Sequence, residues 1–192
     1  MEKLTGLKKI KTAIFISGKG SNLINLIKFS KIKKTPISVD LIISNTLKAK
    51  GLNFADQFKI KKKTFGYKNI KVTEKNILRL LKKEKIELIC LAGFMKILSK
   101  NFIKKFDGKI INIHPSLLPK YKGLNTHNRA ISNKDKFAGC TVHYVTSELD
   151  SGKIILQKKV KITAKDNQNS LEKKVLKQEH KLYPAAIMKI LN

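Results

Sequence analysis

Asn112 and His114 stand two residues apart near the end of an apolar run within IINIHPSLLPKYKG, Ile110 to Gly123. If that run is a strand, its period of two puts both side chains on one face at its carboxyl end, where open α/β sheets hold ligands. The Asn amide is a donor and the imidazole a donor or proton carrier, a pair suited to receiving the charge of an oxyanion when a carbonyl is attacked. The plainer alternative is a buried His held by a backbone carbonyl. Asp150 follows His114 by 36 residues, in the turn-like SELDSG. Asp in a turn commonly caps its own backbone. If it instead reaches His114, its carboxylate raises the proton affinity of the ring and helps take a proton from an attacking amine.

A second group is ISGKGSNL, Ile16 to Leu23, a glycine-rich turn from a strand into a helix. Gly18 and Gly20 let the backbone approach an anion, and the amides of Gly20, Ser21 and Asn22 would point at it with the helix dipole behind them. Leu23 occupies the place of the third small residue of a dinucleotide fingerprint, Asp40 lies mid-strand, and the P-loop pattern is absent. A monophosphate is the guest that remains. His127, His143 and His180 show no metal-ligand spacing, so no metal site is expected. Glu179, in KQEHKLYP, reads by itself as part of a solvated helix face.

The elements that must carry these groups follow from hydrophobic period. Strand-length apolar runs alternate with helical stretches, the pattern of a parallel sheet covered by helices. Strands are expected at Thr12–Ser17, Ile37–Ser44, Lys62–Phe65 (a weak edge), Ile86–Ala92 and Lys109–Ile113. Helices are expected at Ser21–Ser30, Leu52–Phe58, from Thr73 as N-cap, and over Phe94–Phe106. After an ordered Pro115/Pro119 loop and a short helix near Arg129–Asn133, two alternating strands (Gly139–Thr146, Lys153–Ile162) precede a closing helix, Ser170–Ile190. The fold class is α/β, a doubly wound sheet.

The 192 residues suit one domain, 42% hydrophobic and 29% charged. A net charge of +29 invites a nucleic-acid reading, yet of 42 basic residues only Arg79 and Arg129 are arginine. Nucleic-acid readers favour Arg for its bidentate fork. The lysines also run along the whole chain among Ile and Asn, the texture of AT-rich codon drift. Cys90 and Cys140 sit in apolar runs and read as small buried hydrophobes. The first apolar run is too short for a signal peptide, and none approaches the roughly 18 residues of a membrane span. A cytoplasmic protein is expected.

Taken in order, ISGKGSNL, LAGFMKILS, NIHPSLLPKYKG, THNRAI, CTVHYVTSELDSGKIILQ and QEHKLYP resemble the glycinamide ribonucleotide formyltransferases of purine biosynthesis, in their small bacterial form, over most of the chain. The resemblance implies the formyltransferase fold, a mostly parallel sheet with helices on both faces. It implies transfer of the formyl group of 10-formyltetrahydrofolate to the amine of glycinamide ribonucleotide, without a metal. By the same resemblance Asn112, His114 and Asp150 match the catalytic trio; Gly20, Ser21 and Asn22 match the loop holding the substrate phosphate; and Glu179 matches the residue on the ribose. Met95, Lys96, Ile97 and Leu98, with the loop before Asp150, match the pterin pocket.

The chain departs from the family pattern at Lys96 (usually Arg), Asn125 (commonly His) and Ser151 (Gly). It also lacks the usual tail after Asn192 and carries residues 1–11 as an N-terminal extension. The expected partners are the two small molecules, with no specific nucleic acid and no membrane, and the protein is expected to be a monomer or weak homodimer. Methionyl-tRNA formyltransferase shares the trio but adds a C-terminal RNA domain and lacks the GSN cradle. Formyltetrahydrofolate deformylase uses water as acceptor and adds an N-terminal domain. A basic nucleic-acid-binding module is the alternative from another class.

Overall fold

The first strand, β1 (Ile10–Ile16), serves two cores at once: Ile14 and Ile16 join one, Ala13 and Phe15 the other. A strand buried on both faces reads as a continuous apolar run, which is the mark of a central parallel strand. The computed structural model describes residues 8–191. After β1 come α1 (Ser21–Ser30), β2 (Ile37–Ser44), α2 (Leu52–Gln57), β3 (Lys61–Thr64), α3 (Ile70–Glu84) and β4 (Leu88–Leu91). They are followed by α4 (Lys100–Lys105), β5 (Lys109–His114), α5 (Thr126–Ser132), β6 (Phe137–Tyr144), β7 (Ile154–Lys161) and α6 (Gln168–Leu191).

Among the described residues the strands form one seven-stranded sheet, ordered β3-β2-β1-β4-β5-β6-β7. Pairing is parallel from β3 through β5 and antiparallel from β5 to β7. Helices cover both faces. Leu23, Leu26 and Ile27 of α1 and Leu171, Val175, Tyr183 and Ile187 of α6 fill one core, while Ile77 and Leu81 of α3 and Phe102 of α4 fill the other. Cys90 and Cys140 are free and buried, and burial pushes both thiols up to about 12.

Most element ends agree with the sequence reading within two residues, the usual uncertainty of a boundary. Two expectations are corrected. Helix α3 starts a turn before Thr73: Asn69 is the N-cap, accepting from the Val72 amide at 3.2 Å, and Thr73 is buried with its hydroxyl donating to the Gly66 carbonyl. The helix expected over Phe94–Phe106 is confined to α4, because Gly93 turns the chain at φ 74° and Ser99 caps α4 through its hydroxyl. Buried Glu74 accepts from both the amide and the hydroxyl of Ser99, pinning that start. Of the expected extension, residues 1–7 lie outside the described residues, and Ile10 and Lys11 belong to β1.

Candidate active site

Between β1 and β4 the sheet order reverses, the point beyond the strands' carboxyl ends at which doubly wound sheets bind ligands. The loops leaving these two strands are tied together. The Ser17 amide donates to the Gly93 carbonyl at 3.1 Å, and its hydroxyl accepts from the Met95 amide at 2.7 Å while donating to Asn45 Oδ1 at 2.5 Å.

The loop after β1 ends in Gly20, whose φ of 79° lies in the left-handed region that favours glycine. A Cβ there would also come within 2.8 Å of the Gly51 Cα, so the loop crosses a second glycine at backbone contact. The Gly51 amide donates to the Gly18 carbonyl at 3.0 Å, locking the crossing. The first turn of α1 has no side-chain cap, so its leading amides have no acceptor within the helix and can face an anion. The side chain of buried Asn22 donates to Glu179 Oε2 at 2.6 Å, joining α1 to α6. Burial raises the Glu179 pKa, against the lowering effect of that hydrogen bond.

Asn112 and His114 project from the end of β5 while Ile111 and Ile113 enter the core beneath. Asp150, in the turn between β6 and β7 at φ 48°, reaches both. Its Oδ2 lies 3.3 Å from His114 Nδ1 and accepts from the Gly123 amide at 2.9 Å, and its Oδ1 lies 3.5 Å from Asn112 Nδ2. His143 joins them from β6, its Nε2 3.2 Å from Asn112 Nδ2 and 3.6 Å from Asp150 Oδ1. The His143 Nδ1 faces the Tyr144 carbonyl at 2.8 Å; a carbonyl can only accept, so that nitrogen carries a proton and Nε2 is free to accept from the Asn112 amide. His114 Nε2 likewise donates to the Tyr121 carbonyl at 2.9 Å.

His114 therefore has an acceptor at each ring nitrogen, the setting of an imidazolium. Burial opposes that charge and pulls its pKa below the ordinary histidine value, with the Tyr121 carbonyl and Asp150 pushing the other way. Burial would raise the Asp150 pKa, but the adjoining His143 ring, the hydrogen bond from the Gly123 amide and the His114 ring outweigh it and hold the carboxyl below its usual range. An amide donor, an imidazole and an ionised carboxylate thus lie within hydrogen-bond reach of one another. That set can receive charge on a carbonyl oxygen and move one proton.

The sequence model of the formyl transferase family matches residues 10–187, nearly the whole chain. The chain belongs to the formyl transferase family. It is similar to the phosphoribosylglycinamide formyltransferase of Haemophilus influenzae, 43% identical over 94% of this chain and 86% of that protein. The crystal structure of phosphoribosylglycinamide formyltransferase from Brucella melitensis superposes with a TM-score of 0.91 at 41% identity, covering 96% of each chain. The trifunctional purine biosynthetic protein adenosine-3 of Homo sapiens is 40% identical over 94% of this chain, which spans 18% of that protein's length.

In this member of the formyl transferase family the loop after β4 leaves Met95, Lys96 and Ile97 exposed, whereas Leu98 is 3% exposed and packs in the core. Glu179 is buried rather than on a solvated face, because Asn22 draws its carboxyl inward. His143, which sequence spacing alone sets aside, proves to touch two of the trio. Its strand register was the available signal: alternation along GCTVHYVT puts His143 on a definite face, but nothing local says that Asn112 is opposite. Gly51 was missed for a similar reason, since its role is a crossing with Gly20. Among the described residues no helix is long and apolar enough to cross a membrane.

Proposed function

We propose that the chain is a phosphoribosylglycinamide formyltransferase, acting as one domain in the cytosol and moving the formyl group of 10-formyltetrahydrofolate to the amine of glycinamide ribonucleotide. The observation that carries this reading is the convergence of Asn112, His114 and Asp150 at the carboxyl end of β5, in the same sheet as β1, whose carboxyl end leads into a glycine turn suited to a phosphate. Gly20, Ser21 and Asn22 would hold the substrate phosphate with backbone amides, and Glu179 a ribose hydroxyl. Met95, Lys96 and Ile97 would wall the pterin, with Leu98 anchoring their loop in the core and the Ser17 hydroxyl setting its backbone at Met95.

The amine attacks the formyl carbon, forming a C–N bond as charge gathers on the formyl oxygen. Asn112 offers that oxygen an N–H. Its contact with Asp150, at 3.5 Å, is long for a hydrogen bond and is the one most readily exchanged for the oxyanion. His114 supplies positive charge from between its two acceptors. Asp150 takes the proton of the attacking amine, directly or through water, and returns it to the folate nitrogen as the old C–N bond breaks.

The test supplies 10-formyltetrahydrofolate with three acceptors in turn: glycinamide ribonucleotide, water and methionyl-tRNA. Formylation of the ribonucleotide, with the other two near background, is the expected result. A preference for water or tRNA would overturn the assignment.

A further inference from the structure

Tyr121 lies at φ 56°, in the left-handed region that a bulky L residue keeps only where its surroundings hold it. Here the hydroxyl donates to Asp135 Oδ2 at 2.9 Å and accepts from Asn133 Nδ2 at 2.9 Å. The ring lies under the Arg129 guanidinium, 4.9 Å from centroid to Cζ, and packs partly buried against the core. Arg129 also donates to the Lys122 carbonyl at 2.7 Å, so α5 and the turn after it grip two successive residues of the loop. The result of this grip is the placement of one atom: the Tyr121 carbonyl, 2.9 Å from His114 Nε2.

We propose that Tyr121 is a positioning residue for formyl transfer, its side chain pegged by Asp135, Asn133 and Arg129 so that its carbonyl keeps a proton on His114 Nε2 and turns Nδ1 toward Asp150. This rests on the reading of His114 as a catalytic group. A carbonyl anchored by its own residue's side chain is a rigid acceptor, whereas a carbonyl on a free loop would let the ring rotate. The charged and titratable groups around the ring are Asp150 from the β6–β7 turn, His143 from β6, and Arg129 and His127 from α5. Of these only Asp150 joins the Tyr121 carbonyl in favouring the charged ring.

The test is Tyr121→Phe, which removes both hydroxyl bonds and keeps the ring. The expected result is a fall in kcat of about tenfold, since a misplacement well under 1 Å is at stake, with KM for glycinamide ribonucleotide unchanged. The His114 titration, followed by NMR of the ring protons, moves to lower pH as the carbonyl's support weakens. Asp135→Ala reproduces both effects, and the double variant is no worse than either single one. A Tyr121→Phe protein that is less heat-stable but keeps the wild-type kcat and His114 titration would overturn the proposal. If the wild type formylates no glycinamide ribonucleotide, the functional reading fails separately, and the NMR titration still decides whether Tyr121 governs His114.

Discussion

His143 stands directly across the antiparallel β5–β6 ladder from Asn112, and its Nε2 accepts from the Asn112 amide at 3.2 Å. With the other ring nitrogen donating to the Tyr144 carbonyl, Nε2 is left as the acceptor and fixes which end of the Asn112 carboxamide is the donor. Replacing His143 with Ala should lower kcat about tenfold while leaving both KM values within about twofold, because the donor is misaimed and not removed. Steady-state kinetics check this, and a large rise in either KM with kcat preserved would count against it.

Asn112→Ala deletes the donor itself. Loss of one oxyanion donor costs roughly 100 to 1,000-fold in turnover. A near-normal rate in single-turnover measurements, with a folded protein by circular dichroism, would remove Asn112 from the mechanism.

Asp150→Asn keeps the shape of the side chain and discards its charge. Turnover should fall by roughly 100-fold or more as the proton acceptor is lost. The carboxylate raises the His114 pKa, so its removal lowers it further. The alkaline limb of the kcat/KM profile should therefore move to lower pH, and an unmoved limb would mean that His114 does not set it.

Gly20→Ala brings a Cβ to within 2.8 Å of the Gly51 Cα at a φ of 79°. Neither backbone can yield cheaply, and strain of about 1–3 kcal/mol is expected. KM for glycinamide ribonucleotide should rise while KM for the folate changes little, a split that would be absent if the turn only joined strand to helix.

His114, His127 and His180 all have pKa values lowered by burial. Unfolded, each titrates near the ordinary value of about 6.5, so below that pH the unfolded chain binds more protons than the folded one. Stability should thus fall as pH drops below about 6.5 and level off once the folded rings have titrated. Thermal melts from pH 8 to 5 test the sign, and a melting point that rose with acidification would contradict the burial of these rings.

The alternation of strands and helices is legible in the residues alone, since burial on one or both faces leaves its period in the chain, and so is the placing of Asn112 and His114 on one strand face. The residues themselves also singled out Asp150 and the Gly20 turn, and the family resemblance added Glu179. Tertiary structure decided what those groups touch. His143 became a partner of Asn112 through the register of β5 on β6, Gly51 acquired its role where two loops cross, and Asn22 drew Glu179 into the interior. The expected helix over Phe94–Phe106 shortened because buried Glu74, distant in sequence, holds Ser99 at its start. Each of these depends on atoms far apart along the chain, and a periodicity, being local, carries no record of which distant residue arrives opposite.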